Sequence, residues 1–402
     1  MPIDFDSRLS TRARTMVASS VREICKLVQR QDIISLAGGW PNPETFPADE
    51  TARIVERLMR ERPGEVLQYG MSEGLTPLRE WLAGWLGARE GVATAVDGVL
   101  MVSGAQMGMD LACRVLVDDG DVGLVELPTY FGGTGSLQSF GARIVGVPVD
   151  DGGMDVGALE RILLGLRGEG RSVKLAYVQP TFHNPLGVTL SGDRRRRLLD
   201  LASEHDFFIA EDSPYGDLCY SQDPVPPLKA LDTEGRVIYI RSFSKIFAPG
   251  IRLAVVVAHP EIASRMVVQR QFVDCCPSVL AQWILFEFCR SGDLDRRIAA
   301  NVAFYSRMRE TIVEAVRSHI PPAVRWTEPH GGFFLFMTLP HGMDASDILE
   351  EALAAKVAFV PGTQFFVDGS GRNTLRLSFA QTAAPDIVEA VKRLGTILTK
   401  RL

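Results

Sequence analysis

Ser242-Phe243-Ser244-Lys245-Ile246-Phe247-Ala248-Pro249-Gly250-Ile251-Arg252 gathers two hydroxyls, an amine and a guanidinium into one short stretch. The residues just before it, Arg236-Val237-Ile238-Tyr239-Ile240, are apolar and β-branched, the pattern of a buried strand. Lys245 therefore falls just past the C-terminal end of a strand, where open α/β sheets hold their ligands. Pro249-Gly250 predicts a turn between the amine and Arg252. An amine in that place can form a Schiff base, while hydroxyls and a guanidinium can hold a phosphate. A cofactor with an aldehyde and a phosphate suits this set, and pyridoxal 5′-phosphate (PLP) is such a cofactor. A surface lysine after a strand would look the same in isolation, so the other strand ends must decide.

Those ends carry chemistry in turn. Val102-Ser103-Gly104-Ala105-Gln106 opens a helix, whose free backbone N–H groups suit a phosphate. Pro128-Thr129-Tyr130 offers an aromatic face to a flat ring. Gln179-Pro180-Thr181-Phe182-His183-Asn184-Pro185-Leu186-Gly187 is a proline-fixed loop that presents the Asn184 amide. Ile209-Ala210-Glu211-Asp212-Ser213-Pro214-Tyr215 supplies a carboxylate for a protonated pyridine nitrogen and a phenol for a ring hydroxyl. Each segment alone reads as turn chemistry. Together they set amide, carboxylate, phenol, lysine and arginine on one edge of one sheet.

The elements that must position these groups are legible as alternation. Apolar runs occur at 98–102, 122–127, 143–149, 173–178, 206–210, 236–240 and 253–258. Helical patterns lie between several of them, at about 106–117, 155–166 and 192–204. This predicts an α/β fold: a large domain, residues 41–292, on a mostly parallel seven-stranded sheet. The Arg194–Arg197 run on the last of these helices reads as a solvated face. A long helix at 294–318 is followed by short strands at 324–327, 333–339, 357–360 and 374–379, with helices at 344–355 and 384–399. That predicts a smaller α+β domain over 293–402. Arg376 interrupts its last strand with a charge that requires a partner, either an internal acid or a substrate carboxylate.

Residues 1–40 read as an N-terminal helix, amphipathic around Val21, Ile24, Leu27 and Val28, and a loop. The loop, Ile33 to Pro41, contains Gly38-Gly39 and predicts either a plain connection or close approach of backbone to a ligand. Further on, a helix from about Pro77 carries Leu78, Trp81, Leu82 and Trp85 on one face, and Tyr69 sits in a glycine-flanked loop ahead of it.

Composition narrows the alternatives. The 402 residues carry 43 Lys and Arg against 49 Asp and Glu, a net charge of −6, so no nucleic-acid or membrane partner is expected. No apolar run reaches the roughly 18 residues of a spanning helix, and no signal peptide is expected. The six cysteines are scattered, which predicts reduced thiols in a cytoplasm, and no His or Cys spacing suggests a metal.

The set of motifs resembles fold-type I PLP-dependent aminotransferases of class I/II, most of all the branch with α-aminoadipate and kynurenine aminotransferases. The resemblance spans Ser20-Val21-Arg22-Glu23-Ile24 to Arg376. It rests on Ala37-Gly38-Gly39-x-Pro41, Tyr69-x4-Gly74-x3-Leu78-Arg79, Asn184-Pro185-x-Gly187, Asp212-x2-Tyr215, Ser242-x-Ser244-Lys245-x3-Pro249-Gly250-x-Arg252 and Arg376. It implies an amino-group transfer between an α-amino acid and a 2-oxo acid, with 2-oxoglutarate/glutamate as one pair.

It also implies roles. Lys245 forms the internal aldimine and shuttles the proton, Asp212 pairs with the pyridine nitrogen, and Asn184 and Tyr215 bind the ring hydroxyl. Tyr130 stacks on the ring. Gly104, Ala105 and Gln106 at the helix start, with Ser242, Ser244 and Arg252, hold the phosphate. Tyr69 reaches the phosphate of a neighbouring subunit, making a homodimer. Arg376 takes the substrate α-carboxylate, with Asn184 and Gly39 beside it. Arg22, on a helix over the site, either reads a distal carboxylate or pairs with a nearby acid such as Glu23. Ala105 stands where relatives often carry a hydroxyl, and Leu186 where a threonine is usual, which hints at a specialised member.

Two other functions share these features. The same cofactor site could serve elimination, replacement, decarboxylation or oxidation of an amino acid. A non-enzymatic sensing module of this fold would sit behind a DNA-binding domain, for which the roughly thirty residues before the core pattern are too few.

Overall fold

The computed structural model describes residues 3–15, 32–221 and 224–402. Arg22 and the amphipathic pattern around Val21–Val28 lie outside the described residues. In chain order the strands are β1 (Ile34–Ser35), β2 (Val99–Val102), β3 (Val122–Leu127), β4 (Arg143–Asp150), β5 (Gly153–Met154), β6 (Val173–Val178) and β7 (Phe208–Ser213). They continue with β8 (Val237–Ser242), β9 (Ala254–Val257), β10 (Arg325–Trp326), β11 (Phe334–Thr338), β12 (Val357–Ala358), β13 (Val360–Pro361) and β14 (Thr374–Ser378).

The large sheet runs β2-β9-β8-β7-β6-β3-β4-β5. Pairings β4–β3–β6–β7–β8 are parallel, while β9 is antiparallel to both β8 and β2. All seven apolar runs of the sequence are strands of this sheet. The eighth strand, β5, corrects the expected count of seven. It is a two-residue antiparallel addition to β4 and too short to show a hydrophobic period. Strands β2, β8 and β9 are buried at every position, as expected for a sheet covered on both faces.

Because β9 reverses the chain twice, β2 runs parallel to β8, and Val102, Ala254 and Ser242 align in register. The C-terminal ends of β2, β3, β6, β7 and β8 thus open onto one edge. The helix Ala105–Leu116 begins there, with Gly104 at φ 90° as its N-terminal neighbour. The helix Phe131–Ser139 also begins there. Its Gly132, Gly133 and Gly135 disfavour helix intrinsically, which hid it from the periodicity. A Cβ at Gly133 would strike the Tyr177 ring, so close packing on the sheet favours this glycine.

The smaller sheet, β10-β11-β14-β13, is antiparallel throughout, with Arg376 of β14 between Phe336 and Val360. It packs on the helices Asp293–His319, Ala345–Ala354 and Ala384–Arg401 through a core including Ile312, Val316, Leu335, Leu377, Val391 and Leu394. The loop from Ile33 is more ordered than a plain connection. Ile34 and Ser35 pair in parallel with Val357 and Ala358, and Leu36 exchanges backbone hydrogen bonds with Ala358 and Ser378. Leu36 and Ala37 are fully buried.

One expectation about charge is corrected. Arg194, Arg196 and Arg197 pair with surface acids, but Arg195 is wholly buried. Its guanidinium donates to the carbonyls of Leu190, Pro180 and Pro226 and to the Thr181 hydroxyl, knitting the 180–190 loop to the helix Gly192–Glu204 and to the segment at Pro226. The arginine run carries no periodicity from which one inward member could be chosen. Among the described residues, no helix is long and apolar enough to cross a membrane.

Candidate active site

The strand ends enclose a cavity of about 670 Å³. Its wall includes Gly39, Ala105, Gln106, Tyr130, Asn184, Asp212, Tyr215, Ser242, Ser244, Lys245, Arg252 and Arg376. The structure therefore brings most of the sequence-derived residues to one place. Gly104 lies directly behind Ala105. Tyr69 does not line this cavity. It is 84% exposed and borders a separate hollow with Gln68, Met71, Val279 and Trp283. Arg22 lies outside the described residues.

Lys245 follows β8 by three residues. Its Nζ donates to the Gly39 carbonyl at 2.8 Å, so the Gly38-Gly39 loop does approach the chemistry. Burial pushes the Lys245 amine down from its ordinary value to about 8, and the cations Arg376 and Arg252 push the same way, against Asp212. An amine with that pKa is partly neutral near pH 7 and able to act as nucleophile or base.

Asp212, near the end of β7, is buried, and desolvation raises its pKa. Two donors act against that rise. The Tyr177 hydroxyl and the Gln179 amide both donate to Oδ2, at 2.8 and 2.7 Å. Oδ1 is buried with no hydrogen-bond partner. An orphaned carboxylate oxygen in a cavity wall is the acceptor that a protonated ring nitrogen needs.

Asn184 Oδ1 accepts from Arg376 Nη1 at 2.8 Å. Arg376 Nη2 donates to the Ala37 carbonyl at 2.7 Å. The guanidinium carbon also sits 4.1 Å from the Phe334 ring centroid and 4.9 Å from that of Phe365. These contacts hold the guanidinium in a fixed plane beside the cavity. Burial pushes the Tyr215 phenol far above its usual range, with Arg376 opposing, so the phenol keeps its proton and can donate it in a hydrogen bond.

At the phosphate end, Ala105 and Gln106 supply the first N–H groups of their helix, ahead of any intrahelical acceptor. The Gln106 side chain is occupied by the Gly132 carbonyl and Ser136 Oγ. Arg252 adopts a left-handed backbone conformation at φ 52° after the 3-10 turn Pro249–Ile251, and this returns its guanidinium to Gly104. A Cβ at Gly104 would collide with that guanidinium. Ser242 Oγ accepts from Ser244 N–H at 3.1 Å. Helix terminus, serines and arginine make a cradle of donors. With the orphaned Asp212 oxygen and the Lys245 amine, the donor set fits PLP at each of its functional groups.

Sequence reading missed Tyr177, Gln179, Glu126, Phe334 and Phe365. Tyr177 lies inside an apolar strand and reads as core. Gln179 was legible only as part of a loop, and the phenylalanines gain meaning from Arg376 alone.

Residues 33–394 match the family "Aminotransferase class I and II". The chain is 41% identical to the aromatic-amino-acid aminotransferase 1 of Thermococcus litoralis, over 100% of this chain and 96% of that one. It is also similar to the crystal structure of Pyrococcus horikoshii kynurenine aminotransferase in complex with PMP. The TM-score is 0.96 and identity 42%, covering 99% of this chain and 98% of that one. The α-aminoadipate aminotransferase of Thermus thermophilus, complexed with N-(5′-phosphopyridoxyl)-L-leucine, gives a TM-score of 0.91 at 35% identity, with 99% of each chain covered. The chain belongs to the class I and II aminotransferases. It has the fold-type I architecture and is a PLP-dependent transaminase acting on amino acids and 2-oxo acids.

The lowered amine pKa has a measurable consequence. Labelling of Lys245 in the cofactor-free protein by an amine-selective reagent, read by peptide mass spectrometry, should rise with pH about a midpoint near 8. Arg376→Gln removes a cation and should move that midpoint upward. A wild-type midpoint near the ordinary lysine value of about 10.4 would show that the cavity does not perturb the amine.

Proposed function

We propose that the cavity residues divide the reaction as follows. Gly104, Ala105, Gln106, Ser242, Ser244 and Arg252 hold the phosphate, Asp212 Oδ1 holds the protonated ring nitrogen, and Asn184 and Tyr215 hold the ring hydroxyl. Tyr130 covers one face of the ring. When bound, PLP supplies an aldehyde that accepts the amino group and a ring that draws electrons from the α-carbon. Arg376, its plane set by Asn184, the Ala37 carbonyl and two aromatic faces, grips the substrate α-carboxylate. Lys245 Nζ, held by the Gly39 carbonyl, takes the α-proton and returns it. The observation that carries this reading is the orphaned Asp212 oxygen in the same cavity wall as an amine of lowered pKa. Lys245→Ala should bind PLP without a covalent bond and lose roughly 10²–10⁴-fold in turnover, as measured by cofactor retention after borohydride reduction and by steady-state rates. Turnover at the wild-type rate would refute the reading.

We infer that the donor is a neutral, aromatic amino acid and the acceptor 2-oxoglutarate. Trp40, Phe131 and Phe334 line the cavity, and among the described residues its cations are Lys245, Arg252 and Arg376, each already assigned. The relatives named for aromatic amino acids and kynurenine support the same class. A distal carboxylate then needs another cation, and Arg22 is the candidate. In a donor and acceptor panel, Arg22→Ala should raise the KM for 2-oxoglutarate about 10- to 100-fold, the value of a charged hydrogen bond, and leave aromatic donors unchanged. An equal change for both substrates would make Arg22 structural.

We further propose a homodimer in which Tyr69 serves the partner's phosphate site. Tyr69, Leu67, Met71 and Phe272 are exposed apolar side chains, as an interface requires. Sedimentation of the holoenzyme should give a dimer at micromolar concentration, and an active monomer would refute it. The unbridged thiols of Cys113, Cys275, Cys276 and Cys289 support a cytoplasmic location.

A further inference from the structure

A buried polar chain runs from the cavity wall inward, and Gln179, itself one of the lining residues, is its node. Its backbone N–H donates to Glu126 Oε2 at 2.7 Å. Its side-chain oxygen accepts from the Asn184 N–H at 3.2 Å. Its side-chain nitrogen donates to Asp212 Oδ2 at 2.7 Å. His183 Nε2 lies 3.2 Å from the same Glu126 oxygen, and Glu126, His183 and Gln179 are all buried. Their burial strengthens each contact, so each constrains the next.

The amide has two distinguishable ends, and its surroundings decide which faces where. Asn184 offers a donor, so the Gln179 oxygen must turn to it, and the nitrogen is left for Asp212. Oδ2 then accepts two hydrogen bonds, from Gln179 and Tyr177, while Oδ1 accepts none. The backbone of Gln179 is pinned by a buried carboxylate on the neighbouring strand, β3, so the amide is fixed at both ends.

We propose that Gln179, anchored by Glu126, is a positioning residue. It orients Asp212 so that Oδ1 is the oxygen available to a protonated ring nitrogen, and it ties that orientation to Asn184. Neither Gln179 nor Glu126 needs to touch the reacting atoms. The Gln179 nitrogen acts on Asp212, and its oxygen meets only the Asn184 backbone N–H, the Asn184 side chain being held separately by Arg376, so the main effect falls on the ring nitrogen. The inference rests on the PLP reading of the cavity.

The test uses binding to the cofactor-free protein, followed by fluorescence or equilibrium dialysis, of PLP and of its 1-deaza analogue, in which C–H replaces the ring nitrogen. The wild type should prefer PLP. Gln179→Leu should weaken PLP by roughly 5- to 150-fold, the cost of a lost buried hydrogen bond, and weaken the analogue by a clearly smaller factor, through the Asn184 contact alone. The near-isosteric Gln179→Met removes the donor without placing a second carboxyl beside Asp212, so it should lose the preference too even if the leucine variant folds poorly. Glu126→Gln keeps an acceptor for the Gln179 N–H and should retain most of the preference. Asp212→Ala should abolish the preference, and adding Gln179→Leu to it should cost no more than that smaller factor. Equal weakening of both ligands by the Gln179 variants, or additive losses in the double variant, would overturn the inference. If Asp212→Ala itself kept the preference, the PLP reading of the cavity would fall instead.

Discussion

The site depends on a buried carboxylate whose two oxygens are treated differently. Asp212 is buried near the end of a central strand, and desolvation by itself favours its neutral form. The protein answers with two donors on one oxygen, from Tyr177 and Gln179, and leaves the other oxygen open. Neither donor is near Asp212 in sequence. Both reach it because β6 and β7 are parallel neighbours, with Tyr177 opposite Ala210 and Val178 opposite Glu211. A one-residue slip in that register would send Tyr177 to the other face of the sheet. Sheet topology and the electrostatics of the site are therefore one constraint.

Charge of the opposite sign is handled differently. Lys245, Arg252 and Arg376 share one cavity, and the two arginines depress the lysine pKa. Among the contacts of Arg376 are two neutral oxygens and two aromatic faces, which set the plane of its guanidinium. A cleft lined by charges of one sign attracts ligands of the other, such as a phosphate or a carboxylate.

The segment from Ile33 to Pro41 links the two sheets to the chemistry. Leu36 is stitched by backbone hydrogen bonds to Ala358 and Ser378, the Ala37 carbonyl takes Arg376, and the Gly39 carbonyl takes Lys245. Gly39 is also required sterically, since a Cβ there would lie 2.7 Å from the Phe334 ring. A few residues thus couple the arginine of the smaller sheet to the lysine of the larger one.

Much of this was readable from residue order alone. The seven long strands of the large sheet, the long helix and three of the small-sheet strands announced themselves by apolar period, because burial on both faces or one demands it, whereas the run expected at 357–360 divides, Val357–Ala358 pairing with β1 and Val360–Pro361 joining the small sheet. Lys245, Asp212, Tyr215, Asn184 and Arg252 stood out because polar groups at strand ends are few and their chemistry is specific. What the sequence could not express was partnership between distant residues. Tyr177 looks like core and Gln179 like loop until β3, β6 and β7 lie side by side. Arg195 looks like its exposed neighbours until carbonyls of the 180–190 loop close around it. The helix Phe131–Ser139 is disfavoured by its own glycines and forms because the Tyr177 ring leaves room for nothing larger at Gly133. Local pattern determines which segments become strands and helices and which side chains hold reactive groups. Only tertiary packing decides which polar atoms are removed from water together, and that sets the charge state of Asp212 and the pKa of Lys245.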